Sequence, residues 1–196
     1  SKWNVDNVVI YDSFGTESPL CKGSMCLIPP NLSNSLACSG TQAKAFETKT
    51  DFLTAIKAYN TNHCANTGYG NIEYWNISKL TDMSSLGFGP DFNADISRWD
   101  TSKVTDMRYM FQQASSFNQN IGNWNTSNVG NMNSMFLLTT SFNQNISKWN
   151  TSNVEYMSYM FLQAKSFNQD ISNWNVDKVK NNTTNYTDFG NSSPLC

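Results

Sequence analysis

Residues 124–136 read Trp124-Asn-Thr-Ser-Asn-Val-Gly-Asn-Met-Asn-Ser-Met-Phe136, and after a spacer the chain continues Ser141-Phe-Asn-Gln-Asn-Ile-Ser-Lys148. Trp149 then opens the same phrase again. Tryptophans stand at 75, 99, 124, 149 and 174, a spacing of 24 and then 25 three times. A fixed period of this length marks an array of stacked units, none of which can bury its own apolar face alone.

Counted from each Trp as zero, Val or Leu recurs at +5, Met at +8, Met or Leu at +11 and Phe at +12. That spacing places one apolar stripe on a short helix. Ser78, Ser102, Ser127 and Ser152, at +3, are placed as its N-caps. Phe at +18 and Ile at +22 suit a short strand before the next Trp. The expected fold is therefore an α/β repeat solenoid, leucine-rich-repeat-like, with a short helix and a short strand per 25-residue coil. Its core is expected from Trp75, Trp99, Trp124, Trp149 and Trp174. To these are added Met107, Met110 and Phe111; Met132, Met135 and Phe136; Met157, Met160 and Phe161; and Phe117, Phe142 and Phe167.

A solenoid leaves its first coil open, so a cap is required. Residues 44–60 hold helix formers, with Phe46, Phe52, Leu53, Ile56 and Tyr59 near helical spacing. Thr50 or Asp51 is expected to start an N-terminal capping helix with its core at 51–59. In the first repeat, Gly87-Phe-Gly-Pro90 replaces Met-Phe and one residue is missing. After Trp174 the Met residues give way to Lys180-Asn-Asn-Thr-Thr-Asn185.

The two ends of the chain echo each other. Trp3-Asn-Val-Asp-Asn-Val8 matches Trp174-Asn-Val-Asp-Lys-Val179, and Tyr11 to Cys21 matches Tyr186 to Cys196, both closing on Ser-Pro-Leu-Cys. The larger period is 171 residues at the Trp and 175 at the Cys, a four-residue insertion in the later copy. The expected organisation is thus 1–21, equivalent to the end of a preceding module; 22–43, a cysteine-containing linker; 44–74, cap and lead-in; 75–179, repeat solenoid; and 180–196, a polar C-terminal tail. Ser1 is neither an initiator Met nor the start of a signal peptide, so the chain reads as a mature or excised segment.

Bulk composition narrows the function classes. Net charge is −2 and only 14% of residues are charged, which disfavours nucleic acid or an anionic membrane surface as the main partner. No apolar run approaches the roughly 20 residues of a membrane span. Cys21, Cys26, Cys38, Cys64 and Cys196 include no CxxC pair and accompany a single His, so disulfides in an oxidising compartment are expected rather than zinc. If Cys21 and Cys196 are equivalent positions, each module holds four cysteines. Three pairings are then possible, with Cys38–Cys64 and Cys21–Cys26 the preferred set.

The stretch Phe142-Asn-Gln-Asn-Ile-Ser-Lys-Trp-Asn-Thr-Ser-Asn-Val-Glu-Tyr-Met-Ser-Tyr-Met-Phe161 resembles the BspA-like surface-protein repeat, also called DUF285, an irregular relative of leucine-rich repeats. Thr50-Asp-Phe-Leu-Thr-Ala-Ile-Lys-Ala-Tyr59 and Tyr69-Gly-Asn-Ile72 resemble that family's opening segment. The resemblance covers residues 45–176. It implies secreted or surface proteins of microbes linked to adhesion and binding, with no enzymatic activity. The cysteine usual after Met-Phe is absent, with Gln113, Leu138 and Gln163 near that place, so no cysteine ladder is expected.

Candidate sites are few. His63 beside Cys64 lacks an orienting partner for nucleophilic chemistry. Asp91, Asp95 and Asp100 lack the spacing of a calcium loop. Nine N-glycosylation sequons occur, at Asn31, Asn76, Asn125, Asn145, Asn150, Asn181, Asn182, Asn185 and Asn191. In a composition so rich in Asn, Ser and Thr, their placement matters more than their number. Asn76, Asn125 and Asn150 share position +1 and would line one face. The Asn118, Asn143 and Asn168 column is expected to satisfy backbone groups at turns. The Trp column as a sugar-stacking ladder and the Thr101, Thr126 and Thr151 column as an ice-binding face are minor alternatives to core and capping roles. No enzyme and no cofactor are expected. The function expected is an extracellular structural module, glycosylated and assembling head to tail into a homopolymeric fibre or surface array. The alternative is an adhesin or carbohydrate-binding domain.

Overall fold

A computed structural model describes residues 21–22, 25–26, 44–61, 69, 71–179 and 189–190. Strands β1 (Cys21–Lys22) and β2 (Met25–Cys26) pair antiparallel, with Cys21 opposite Cys26. Helix α1 spans Lys49–Thr61 and is followed by a 3₁₀ turn at Ile72–Tyr74.

Thr48 starts α1, upstream of the expected Thr50 or Asp51. Its hydroxyl accepts from the Asp51 N–H at 3.1 Å and donates to the Asp51 carboxylate at 2.8 Å. This is a side-chain N-cap, which satisfies one otherwise orphaned N–H of the first turn, with the Asp51 carboxylate holding the hydroxyl in place. The inward face of α1 buries Phe52, Ala55 and Ile56. The Phe52 ring lies 5.9 Å from Trp75 and 5.5 Å from Trp99, so the helix closes over the first two units. Lys49 ties the same helix to the first unit, 2.8 Å from Asp82 and 2.6 Å from the Ser84 hydroxyl.

Successive units lie on one another through backbone bonds. Met107, Tyr109, Phe111 and Gln113 donate their N–H groups to the carbonyls of Asn131, Asn133, Met135 and Leu137, at 2.8–2.9 Å. Met132, Ser134, Phe136 and Leu138 repeat this toward Tyr156, Ser158, Met160 and Leu162. Parallel bridges connect Asp82, Asp106, Asn131 and Tyr156 in one line.

Among the described residues, the short helix expected after each Trp is absent following Trp75, Trp99, Trp124 and Trp149. Residues 107–114 instead form linked β-turns, closed by Met110 N–H to Met107 C=O, Gln112 to Tyr109 and Ala114 to Phe111. Left-handed residues recur at two places in each unit: Tyr109 and Gln113, Ser134 and Leu138, Tyr159 and Gln163, with φ between 55° and 63°. A helix would spend every N–H within its own segment. Linked turns leave alternate N–H groups aimed at the next unit, where the stack uses them. The +5, +8, +11 stripe fits both, because a β-turn, like a turn of helix, brings residues three apart together. With no helix there is nothing for the +3 serines to cap. The Phe-to-Ile stretch forms no strand either, and its N–H groups bond across units to side chains.

Two phenylalanine columns fill the interior. Phe88, Phe111, Phe136 and Phe161 stack at 5.4–5.6 Å. Phe92, Phe117, Phe142 and Phe167 stack beside them at 5.7–5.9 Å. Phe88 thus keeps the column running through the shortened first repeat, helped by Gly87 at φ 68°. At the far end the stack does not give way to a purely polar tail. Phe161 donates its N–H to the Phe189 carbonyl at 2.8 Å, and the two rings meet edge to face at 5.4 Å.

Left-handed backbone at a residue with a side chain costs roughly 1–2 kcal/mol, least for Asn. Gln113, exposed at φ 63°, offers a clean test. The substitution Gln113→Asn is expected to stabilise the fold by about 0.5–1 kcal/mol, read as a rise in urea midpoint at unchanged slope.

Candidate functional site: the polar edges of the stack

The five tryptophans of the repeats are committed to the core. Trp75, Trp99, Trp124, Trp149 and Trp174 are at most 8% exposed. The indole N–H groups of Trp99, Trp124, Trp149 and Trp174 donate to the carbonyls of Ile72, Ile96, Ile121 and Ile146, at 2.8–3.2 Å. No face of this column is open to a sugar. Met107, Met110, Met132, Met135, Met157 and Met160 are buried too, as are all the column phenylalanines. Thr101, Thr126 and Thr151 are buried, and their hydroxyls donate to the next unit's Asn125, Asn150 and Asn175 carbonyls. They form a link between units and present no ice-binding surface.

Outside the core, the edges are built from one local device. Asn76, Asn125 and Asn150 at +1, and Asn145 at +21, each accept at Oδ1 from both the N–H and the hydroxyl of the serine two residues on. Each is an Asx turn, in which a side-chain oxygen replaces a backbone acceptor. This is the role of the +3 serines. Asp95, Asp100 and Asp170 make the same turn at equivalent places, as do Asn120 and Asn175. The fold therefore asks only for Oδ1, and Asp serves as well as Asn. Hydrogen bonds from the Ser102 hydroxyl and N–H hold the Asp100 carboxyl below its ordinary range, and Ser172 does the same for Asp170. Asp95 and Asp100 are turn-formers here.

A second edge carries a carboxamide ladder. The N–H groups of Asn118, Asn143 and Asn168 donate at 2.9 Å to Oδ1 of Asn93, Asn118 and Asn143. Gln119, Gln144 and Gln169 donate to the same oxygens. These asparagines are solvent-facing, yet their amides are spent on holding units in register.

The junction of α1 with the first unit holds a titrating pair. Partial burial of Asp82 opposes its ionisation, but hydrogen bonds from Lys49 and Ser84 and the ammonium charge prevail. Its carboxyl therefore titrates below the ordinary value of 3.8. A depressed folded-state value means stability present above the unfolded value and lost as pH falls through the folded one. Asp82→Asn keeps the turn, since Asn131 makes it at the same position. The variant is expected to be less stable than the parent at about pH 7 and to match it near pH 2, read from urea midpoints at both.

Among the described residues, no three His, Cys, Asp or Glu side chains come together as a metal site. No helix among them is long and apolar enough to cross a membrane. His63, Cys38, Cys64 and Cys196 lie outside the described residues, as do Asn31, Asn181, Asn182, Asn185 and Asn191.

A family model described as "Mycoplasma protein of unknown function, DUF285" matches residues 62–140 and 88–193. No curated protein and no solved structure matches.

Proposed function

The chain belongs to the DUF285 family, and on that premise we propose that it is a non-enzymatic extracellular structural module, a leucine-rich-repeat-like solenoid joined head to tail in a fibre or surface array. One observation carries the proposal. Phe189-Gly190 seats on the last unit, its carbonyl taking the N–H of Phe161 as Met160 takes that of Phe136. The same Phe-Gly occurs at Phe14-Gly15, and Phe14 stands 11 residues after Trp3, as Met135 stands 11 after Trp124. The sequence of this terminal cap thus occurs twice, once beside the units it closes and once ahead of the linker. That is the pattern of modules in series. Heterologous contacts that do not close on themselves generate open filaments.

The mechanism is mechanical. Stacked aromatic columns resist bending, and Asx-turn edges keep the flanks polar. Disulfides among Cys21, Cys26, Cys38, Cys64 and Cys196 would brace each junction. The intact mass of the native polypeptide, after reduction and deglycosylation, separates the two forms of the array. A mass near 22.1 kDa means separate protomers, and a large multiple means tandem modules. In either case negative-stain images should show filaments. Dispersed 22.1 kDa monomers at high concentration would sink the proposal.

A further inference from the structure

Asn76 differs from the other sequon asparagines in what stands next to it. Trp75 has extended backbone (φ −59°, ψ 127°) and a buried ring, so Tyr74 and Asn76 on either side both point outward. Residues flanking an extended position share a face. One unit on, Arg98 and Asp100 flank Trp99 in the same way. Together with Glu73 these side chains border an open concavity of about 250 Å³. Tyr74 is 51% exposed, among the few large apolar side chains in solvent. Arg98 lies 5.3 Å from its ring centroid and 3.2 Å from Glu73. In later units the place of Tyr74 is taken by Arg98, Asn123, Lys148 and Asn173, so among the described sequon asparagines at +1 only Asn76 has an exposed aromatic at this place.

The chemistry of the concavity suits a sugar held in place. Its volume falls below the roughly 300–1,000 Å³ of drug-sized sites, which leaves room for about one ring. An aromatic face is electron-rich and attracts the polarised C–H bonds of a pyranose. Glu73, Arg98 and Asp100 supply acceptors and donors for hydroxyl groups. Asn76 spends Oδ1 on its turn, and among the described residues its Nδ2 donates no hydrogen bond.

We propose that Asn76 carries an N-linked glycan whose first sugar seats in this concavity against Tyr74. In the modification, Nδ2 displaces the phosphate leaving group of an activated saccharide. An N–C bond forms, the anomeric C–O bond breaks, and one amide proton passes to the transferase. The inference rests on the extracellular reading, because the modification takes place in a secretory pathway.

Two samples of the full chain test it, one natively purified and one secreted from a eukaryotic host. Peptide mapping after enzymatic deglycosylation in heavy-oxygen water marks each occupied asparagine as Asp. Asn76 is expected to be marked, and Asn120 and Asn175, which make the same turn without a hydroxyl, are not. Native protein bare at Asn76, Asn125, Asn145 and Asn150 alike removes the extracellular reading and this inference with it. Sugar at Asn125 with Asn76 bare removes this inference alone. The seat is read from melting temperature. Deglycosylation leaves Asp at position 76, which keeps the turn as Asp100 does. It should lower the Tm of the parent by about 2–4 °C more than it lowers that of Tyr74→Ala. Asn76→Gln should abolish the difference. Equal shifts in parent and Tyr74→Ala overturn the seat.

Discussion

Replacing Phe136 with Ala is expected to lower unfolding free energy by about 3–5 kcal/mol, the range for a fully buried aromatic truncated to a methyl. The ring is 0% exposed. It stacks on Phe111 at 5.5 Å and Phe161 at 5.4 Å along its column, on Phe142 at 4.1 Å within its unit, and near Trp149 at 6.2 Å. Removing it breaks both directions of packing at once, in the middle of the stack. Stability in such arrays is close to a sum of unit and nearest-neighbour terms. The damage should therefore fall on the contacts between residues 107–117 and 157–167, and unfolding should become less cooperative. Urea titrations followed by tryptophan fluorescence and by circular dichroism measure this. A loss under about 1 kcal/mol would mean that the phenylalanine columns are not the main bond between units. Lys148→Ala, on the exposed edge, is the control, expected within about 0.5 kcal/mol of the parent.

Phe52→Ala is expected to reach a similar size, about 3–5 kcal/mol, by a different route. Phe52 is 0% exposed and bridges three aromatics, Phe46 at 4.9 Å, Trp75 at 5.9 Å and Trp99 at 5.5 Å. Its loss detaches the helix from the units it covers and bares their apolar ends. Hydrogen exchange should then speed up across residues 71–99 while residues 132–167 keep their protection. Uniform acceleration over the whole stack would show that the helix sustains all the units and not the first two. The variant should also bind a hydrophobic dye and self-associate, since exposed apolar patches of this kind seek partners.

The period, the identity of the stacked residues and the need for a cap could all be read from residue spacing. A column is a repeated letter, and five tryptophans at near-constant intervals leave little freedom. The local backbone could not be read the same way. The three-residue step of Val129, Met132 and Met135 belongs equally to a helix face and to chained turns. Glycine or asparagine at the left-handed positions would have told them apart. Tyr109, Gln113, Ser134 and Leu138 stand there instead and give no such signal. The start of α1 was legible but masked by a better-looking neighbour. Thr48-Lys-Thr-Asp51 has the spacing of an N-cap and its third residue, but Thr50 and Asp51 are capping residue types too. Phe189 lies in a segment dominated by Asn, Thr and Ser, so composition concealed a ring that packs back on the units.

For the edges, sequence showed which asparagines carry a sequon and structure shows what each does. Asp and Asn alternate at +1 and +21 because both close the turn. That interchange separates the demands of folding from those of modification. It also means that Asn76, Asn125, Asn145 and Asn150 can each be changed to Asp as a near-silent control.

The direction of the bonds between units has a consequence for growth. From Met107 to Gln113 the earlier unit donates to the later one, whereas Thr105, Gly130 and Glu155 donate back to Thr81, Thr105 and Gly130. Such a stack has unlike ends whose donors and acceptors interlock under simple translation. Left bare, each end would template the other, and chains would polymerise without limit or register, as bare sheet edges do. The helix over the first unit and the phenylalanine on the last act as terminators of that reaction. In a proposed array they would also be the joints, so a fibre of this protein would be segmented, with lengths of stack fixed by the gene and articulated where one terminator meets the next.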